Sequence, residues 1–168
     1  MDNNQLTHDH HQNKSVTTQI VLICDQVKGP ANIGAIFRLA DAFLVSEIIF
    51  HGSEIDVTSN RLKKVARNTQ AIVRFHESES LIKTLEELHA QSFTSIALEI
   101  TSESTSIQEF RNNTSQNIAL IIGSENYGIS DTVLKVVQHT LHIPMYGANS
   151  SMNVAQATAI ALYALRSS

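Results

Sequence analysis

Short runs of apolar residues recur along this 168-residue chain, and amphipathic segments separate them. Within most runs the apolar residues are consecutive and do not alternate with polar ones. Strands of this kind are buried on both faces, as in a parallel sheet that helices cover on both sides. The pattern therefore predicts one α/β domain with a mostly parallel sheet. Hydrophobic residues make up 42% of the chain and aromatic ones only 5%, so we expect a core of Ile, Leu, Val and Ala.

The hydrophobic periodicity predicts six strands and five helical segments. The first helix is expected to begin at Asn32 as its N-cap, because Pro30 discourages an earlier start. A polar tail at 1–18 is expected to be disordered, which leaves 19–168 as the domain. The strands are predicted at 19–25, 47–51, 71–75, 95–100, 117–122 and 140–143. The helical segments are predicted at 32–44, 59–67 (a short basic helix or a loop), 79–90, 130–137 and 153–166.

Charge, cysteine content and hydropathy limit the partners and the cellular location that the sequence allows. The net charge is -4, so any contact with nucleic acid must use a local basic patch. The single cysteine, Cys24, lies in an apolar run and cannot form an internal disulfide, which indicates a cytoplasmic protein. No apolar run approaches the length of a membrane span, and the N-terminus lacks the apolar core of a signal peptide. The histidines show no metal-ligand spacing, so no metal site is expected.

The common nucleotide-binding and hydrolase motifs are absent from the sequence. There is no G-x-G-x-x-G after the first predicted strand, no G-x-x-x-x-G-K-[ST], and no G-x-S-x-G. Small and polar residues instead cluster at the junctions of apolar segments, where α/β proteins place ligands. Such loops can hydrogen-bond an adenine edge or an amino-acid zwitterion through backbone groups. The three segments concerned are 32–38, 123–128 and 143–154.

These segments resemble the three signature motifs of the SpoU/TrmH family of RNA ribose 2′-O-methyltransferases, in the SPOUT superfamily. The resemblance covers roughly residues 18–166. One departure is Leu44, where relatives often carry Gly before the second strand. The first motif, Asn-x-Gly-x-x-x-Arg, is matched by Asn32, Gly34 and Arg38. The second is matched by Gly123, Glu125, Gly128 and Ile129. The third starts at Ile143-Pro144-Met145 and ends at Ser151-Met152-Asn153-Val154, with Met152 in place of Leu.

The resemblance implies a fold that local patterns do not reveal. The C-terminal segment of the α/β domain would be threaded into a deep trefoil knot, a rare exception to ordinary chain topology. The knot would bring the loops after the fourth, fifth and sixth strands together as a pocket for S-adenosyl-L-methionine. Taken alone, without the resemblance, Leu98 and Ile143 are better explained as plain core strand residues. By the resemblance, the residues that line the cofactor pocket are Leu98, Gly123, Ile143 and Met152.

The resemblance also assigns catalytic roles, each beside a simpler alternative. Arg38 would contact the target ribose and phosphate, since guanidinium groups fit phosphate oxygens, or it is a surface helix arginine. Asn32 would be a hydrogen-bond partner in the active site, an N-cap, or both. Glu125 would orient the site and Arg38, or it is a loop carboxylate. Ser151 and Asn153 would bind the RNA or the reacting centre, or they cap the last helix.

A basic cluster is the candidate phosphate track for RNA, although isolated basic residues most often form a solvated helix face. Relatives are dimers in which the counterpart of Arg38 reaches toward the partner's cofactor pocket, so a homodimer is expected. The last helix is almost free of polar residues, as a buried or interface helix would be. The basic cluster consists of Arg61, Lys63, Lys64 and Arg67.

The sequence therefore predicts a cytoplasmic, homodimeric methyltransferase. It would use S-adenosyl-L-methionine, without a metal, to methylate a ribose 2′-OH in tRNA or rRNA. The alternative is a catalytically inactive knotted module that binds RNA or the cofactor. The complete set of motif residues argues against that alternative.

Overall fold

The computed structural model describes residues 16–111 and 116–167, and a seven-stranded sheet forms its centre. All strand pairs are parallel, and the spatial order is β3-β2-β1-β6-β4-β7-β5. This confirms the predicted mostly parallel sheet. The strands are β1 (Ile20–Asp25), β2 (Glu47–His51), β3 (Phe75–Ser78), β4 (Phe93–Leu98), β5 (Thr105–Ser106), β6 (Asn117–Ile122) and β7 (His139–His142).

Five α-helices in the described residues cover the two faces of the sheet. Alternate side chains of β1 enter two separate hydrophobic clusters: Leu22 packs with α1, α2 and α5, while Val21 packs with α3 and α4. Both faces of the sheet are therefore covered, as strands apolar at consecutive positions require. Burial in this core raises the pKa of the Cys24 thiol. The helices are α1 (Pro30–Ala42), α2 (Asn60–Ala66), α3 (Leu81–Ala90), α4 (Asp131–Leu134) and α5 (Val154–Ser167).

The predicted start of the first helix is wrong. Helix α1 begins at Pro30, and Gly29 is its N-cap, so Asn32 is the third helical residue and not the cap. Proline suits the first helical position because its ring fixes a helical φ and its missing N–H would have no intrahelical partner there. Asn32 therefore does not cap the helix, and its side chain is free to bond to residues outside α1.

The predicted third strand at 71–75 is also wrong. Thr69–Ala71 forms a 3₁₀ turn, and β3 starts only at Phe75, which pairs with Ile48 of β2. The fourth and last predicted strands lie one or two residues closer to the N-terminus than expected. The predicted 130–137 helix shortens to Asp131–Leu134, and β5 was not predicted.

Leu44 follows α1 in a left-handed conformation with φ of 52°. The N–H of Val45 donates to the carbonyl of Ala40, which closes the helix end as a Schellman-type turn. Glycine is the usual residue at such a position, which explains the glycine of the relatives. Leu44 adopts the same left-handed conformation, so leucine in place of glycine leaves the helix end and the fold unchanged.

Two predictions from the sequence, the disordered tail and the knot, are not tested by the described residues. Most of the 1–18 tail lies outside the described residues. The threading of the C-terminal segment as a knot stays a prediction. Within residues 16–111 and 116–167, no helix combines the length and apolarity required to cross a membrane.

Candidate functional site

The loops that follow β4, β6 and β7 meet at one cavity of about 290 Å³. The carboxyl ends of parallel strands lie at the same edge of a sheet, where α/β proteins bind ligands. Met145 and residues 150–152 line this cavity, and within the described parts of the chain none of them takes part in a hydrogen bond. Their backbone groups are thus available to a ligand. The lining includes the four residues expected there, Leu98, Gly123, Ile143 and Met152.

The loop after β6 is a tight turn that tolerates no side chain at Gly123. A Cβ atom there would lie within 3.0 Å of the backbone of Gly128 and Ile129. The backbone N–H groups of Ser124 and Gly128 each donate to the other residue's carbonyl, and Gly128 has a φ of 65°. Gly123 therefore serves the packing of its own loop. Any larger residue at this position would disturb the loop before it filled the cavity.

A chain of side-chain hydrogen bonds joins the three motifs. The Nδ2 of Asn32, on α1, donates to Oε1 of Glu125, in the loop after β6. The Nδ2 of Asn153, just before α5, donates to Oδ1 of Asn32 at 2.9 Å. Residues 93 and 121 positions apart in sequence are thus in direct contact. The structure brings together three of the five residues expected in the catalytic set.

Asn153 also caps α5, which confirms the simpler interpretation of this residue, while its contact with the RNA or the reacting centre stays a prediction. Its Oδ1 accepts hydrogen bonds from the backbone N–H of Ala155 at 3.0 Å and of Gln156 at 3.3 Å. Asparagine is a favoured N-cap because its short amide reaches these otherwise unpaired groups. The oxygen holds the helix and the nitrogen holds Asn32, which fixes the orientation of the amide.

Ser151 and Arg38 lie apart from this chain of hydrogen bonds. Ser151 is exposed and lines the cavity, and no described residue bonds to it. Arg38 is exposed on α1, two turns after Asn32, and within the described parts of the chain its guanidinium has no hydrogen-bond or ion-pair partner. Glu125 bonds to Asn32 and not to Arg38. Arg38 is therefore free to contact another molecule.

Glu99 is a cavity residue that the sequence patterns did not single out. It follows β4 directly, and its two carboxylate oxygens accept hydrogen bonds from the backbone N–H of Ile100 at 2.9 Å and of Ile129 at 3.1 Å. A second missed carboxylate is Asp25, which is 1% exposed and accepts the N–H of Ser130 at 3.1 Å. Both stand at strand ends, so attention to every polar residue at a strand end would have found them.

The basic cluster occupies the outer surface of α2 and the residue after it. All four of its side chains are exposed, while Leu62 and Ala66 on the opposite face are buried. Helix α2 packs closely on α1, because a Cβ at Gly34 would lie 2.6 Å from the carbonyl oxygen of Leu62. The cluster is thus held rigidly beside the helix that carries Asn32 and Arg38.

A metal site does not form in the part of the chain that the structure describes, where no group of three His, Cys, Asp or Glu side chains could hold an ion. The site consists of a cavity with apolar walls and free backbone groups, beside a fixed chain of two amides and a carboxylate; Arg38 lies outside the lining. Such a site can bind an uncharged ring and an amino-acid zwitterion. It can also orient a second substrate, and orientation contributes to catalysis.

Comparisons with known proteins find similar sequences and similar structures. Residues 19–163 match the model of the SpoU rRNA Methylase family. A 23S rRNA (guanosine(2553)-2′-O)-methyltransferase of Bacillus subtilis is 28% identical over 158 residues, which are 92% of this chain and 61% of the relative. The chain spans about three fifths of the length of this and other curated relatives.

Two solved structures share the fold. An S-adenosylmethionine-bound rRNA methyltransferase from Sinorhizobium meliloti superposes with a TM-score of 0.81 at 22% identity, covering 91% of this chain and 57% of that one. A protein described as methylating the 2-OH of C/U34 on tRNA superposes with a TM-score of 0.73 at 26% identity. That match covers 87% of this chain and 93% of the other.

Proposed function

This chain belongs to the SpoU rRNA Methylase family, and we propose on that basis that it is an S-adenosylmethionine-dependent RNA ribose 2′-O-methyltransferase. The observation that carries the proposal is the chain of hydrogen bonds from Glu125 through Asn32 to Asn153. It joins all three sequence motifs beside a single cavity. The relatives act on rRNA or tRNA by their names, and a knotted C-terminal segment is part of the proposal.

The cavity suits S-adenosylmethionine in its chemistry. Leu98, Ile143 and Met152 offer apolar contact to an adenine ring, and the unpaired backbone of Met145 and residues 150–152 offers donors and acceptors to its edge. Such a mixture of apolar walls and a few convergent polar groups is typical of cofactor pockets. Knotting of the segment would hold these loops together without a disulfide or a metal.

Methyl transfer needs little acid–base chemistry from the protein. When bound, the cofactor supplies a methyl group on a positively charged sulfur, which is a strong electrophile. The protein must hold a ribose 2′-oxygen in line with that methyl group and exclude water, and orientation of this kind supplies much of a rate enhancement. Arg38 would bind the ribose and its phosphate and stabilise the oxygen as its proton leaves. Guanidinium groups are poor general bases, so Arg38 is not assigned that role.

The hydrogen-bonded chain sets the position of the reacting groups. Glu125 accepts from Asn32, which fixes the Asn32 amide, and Asn32 in turn accepts from Asn153. The position of Ser151 on the cavity wall supports its proposed contact with the RNA or the reacting centre. The hydrogen bonds that support these roles form within one protomer.

We assign the functional unit as a homodimer, supported by the outward position of Arg38 and by helix α5. The exposed side of α5 carries Ile160, 40% exposed, and Tyr163, 67% exposed. Ala161 and Leu165 are buried in the protomer's own core, so they do not form the contact surface. In a dimer built on α5, Arg38 would reach the cavity of the partner.

RNA binding is assigned to the basic cluster on α2, because its exposed cations lie beside the helix that carries Arg38. The proposed substrate is tRNA or rRNA, and a cytoplasmic location is proposed because the relatives named as RNA methyltransferases are bacterial. A dimer would double the cluster and give a longer phosphate track than one chain provides.

A calorimetric titration with S-adenosylmethionine tests the pocket assignment. Ala157 lines the cavity from α5, so Ala157→Leu should fill it and weaken binding by about a hundredfold. Ala159→Leu is the matched control, because Ala159 lies on the same helix and does not line the cavity. Equal affinity in the wild type and in a folded Ala157→Leu protein would overturn the assignment. Normal binding without methyl transfer to any RNA would favour the inactive module.

A further inference from the structure

The charged side chains that line the cavity are all acidic. They are Glu99 and Glu125, and no lysine or arginine is among the described lining residues. Two carboxylates without a counter-cation give the cavity a negative potential, which is stronger in a partly enclosed space than in open water. Such a cavity binds a cationic ligand better than a neutral ligand of the same shape.

Glu99 is held more firmly than an ordinary surface carboxylate. Backbone N–H groups from two different loops donate to it, Ile100 to Oε1 at 2.9 Å and Ile129 to Oε2 at 3.1 Å. Both oxygens act as acceptors, which is the role of an ionised carboxylate. A Cβ atom at Gly128 would collide with Oε2, so the carboxylate also lies directly against the loop after β6. Its charge is thereby fixed in place before any ligand arrives.

Glu125 differs because its Oε1 is already engaged by the side chain of Asn32. The hydrogen bond from the Asn32 amide partly compensates the negative charge of Glu125. Glu99 is bonded only to neutral backbone groups, and within the described residues it forms no ion pair. Its negative charge is therefore the less compensated of the two.

We propose that Glu99 is a specificity-determining residue that makes the cavity prefer the positively charged S-adenosylmethionine to the neutral S-adenosylhomocysteine. The inference rests on the proposed function. Transfer breaks the bond between the sulfur and the methyl carbon, leaves the electron pair on sulfur, and joins the methyl carbon to the ribose 2′-oxygen, whose proton passes to water. The remaining ligand is a neutral thioether, so Glu99 holds it less strongly and its release is favoured.

Calorimetric affinities for three ligands test this role directly. S-adenosylmethionine and sinefungin, an analogue with a cationic amine at the sulfur position, both carry the positive charge, and S-adenosylhomocysteine does not. Glu99→Gln should lower the preference for each cationic ligand over the neutral one by about tenfold. Glu103→Gln is the control: Glu103 is an exposed carboxylate in the same loop, outside the cavity lining, and its removal should leave the preference unchanged.

Salt dependence of the wild type gives a second measurement that needs no variant. The preference for the cationic ligands should fall as ionic strength rises, because salt screens the carboxylate. A preference that is the same in the wild type and in a folded Glu99→Gln protein, or one that salt leaves unchanged, would overturn the role of Glu99 alone. Binding of S-adenosylmethionine in those titrations would leave the proposed function standing. A wild type that binds none of the three ligands would overturn both.

Discussion

At the scale of single residues, Asn153 shows how one side chain can serve the fold and the site together. Its amide oxygen caps α5, and its amide nitrogen donates to Asn32. The sequence predicts the cap as one of two interpretations of Asn153, but it does not predict the bond to Asn32. The contact with Asn32 joins positions 121 residues apart, and no local pattern contains that information.

Two substitutions at Asn153 separate its capping of α5 from its hydrogen bond to Asn32. Asn153→Asp keeps a capping oxygen and loses the donor to Asn32, so stability should stay near that of the wild type while methyl transfer falls by about tenfold or more. Asn153→Ala loses both, so the free energy of unfolding should also fall by about 1 kcal/mol. Denaturant unfolding and methyl-transfer rates measure the two effects. Full activity in Asn153→Asp would mean that the residue is only a cap.

At the scale of elements, prediction succeeded where burial on both faces decides the structure. Strands β2 and β6 were predicted at their observed bounds because central parallel strands are apolar at consecutive positions. It failed at β3, an edge strand, where pairing with β2 selects the half-exposed segment Phe75–Ser78. The apolar Ile72, which belonged to the predicted strand, is 71% exposed in the loop before β3. Register against a neighbouring strand fixes an edge strand more than its own hydrophobicity does.

The exposed basic residues of helix α2 are predicted to set the affinity for RNA. Replacing Arg61, Lys63 and Lys64 with Gln should weaken RNA binding and lower the slope of log affinity against log salt by about one unit per lost phosphate contact. The exposed face of α2 bears these side chains, so the fold should not change. Binding titrations at several salt concentrations give the slope. The same change at Lys83 and Lys135, exposed on other helices or turns, is the control. An unchanged slope in the α2 variant would move the RNA site elsewhere.

At the scale of the whole molecule, the proposed dimer gives the exposed Arg38 a partner. Arg38 has none within the described residues, and it is not among the residues that line the cavity. In the proposed dimer, Arg38 of one protomer would serve the cavity of the other. Cofactor binding should then survive in a monomer, and methyl transfer should not.

Disruption of the α5 surface tests the dimer. Ile160→Glu combined with Tyr163→Glu should give a monomer in sedimentation, because two unpaired charges in a desolvated contact are costly. The monomer should stay folded and bind S-adenosylmethionine, with methyl transfer lost. Ile72→Glu changes an isoleucine that lies away from α5 and is more exposed than Ile160, and it should leave the oligomer intact. A dimer that survives the double substitution, or a monomer with full activity, would count against this assembly.

The most direct measurement is transfer of a labelled methyl group from S-adenosylmethionine to RNA, followed by mass spectrometry of the nucleosides. RNA from a strain that lacks this protein is the substrate. The wild type should produce a 2′-O-methylated nucleoside. Arg38→Ala should lower the rate by about a hundredfold with its affinity for S-adenosylmethionine unchanged, since Arg38 serves the ribose. A methyl group on a base, no methylated RNA at all, or full turnover by Arg38→Ala would contradict the account.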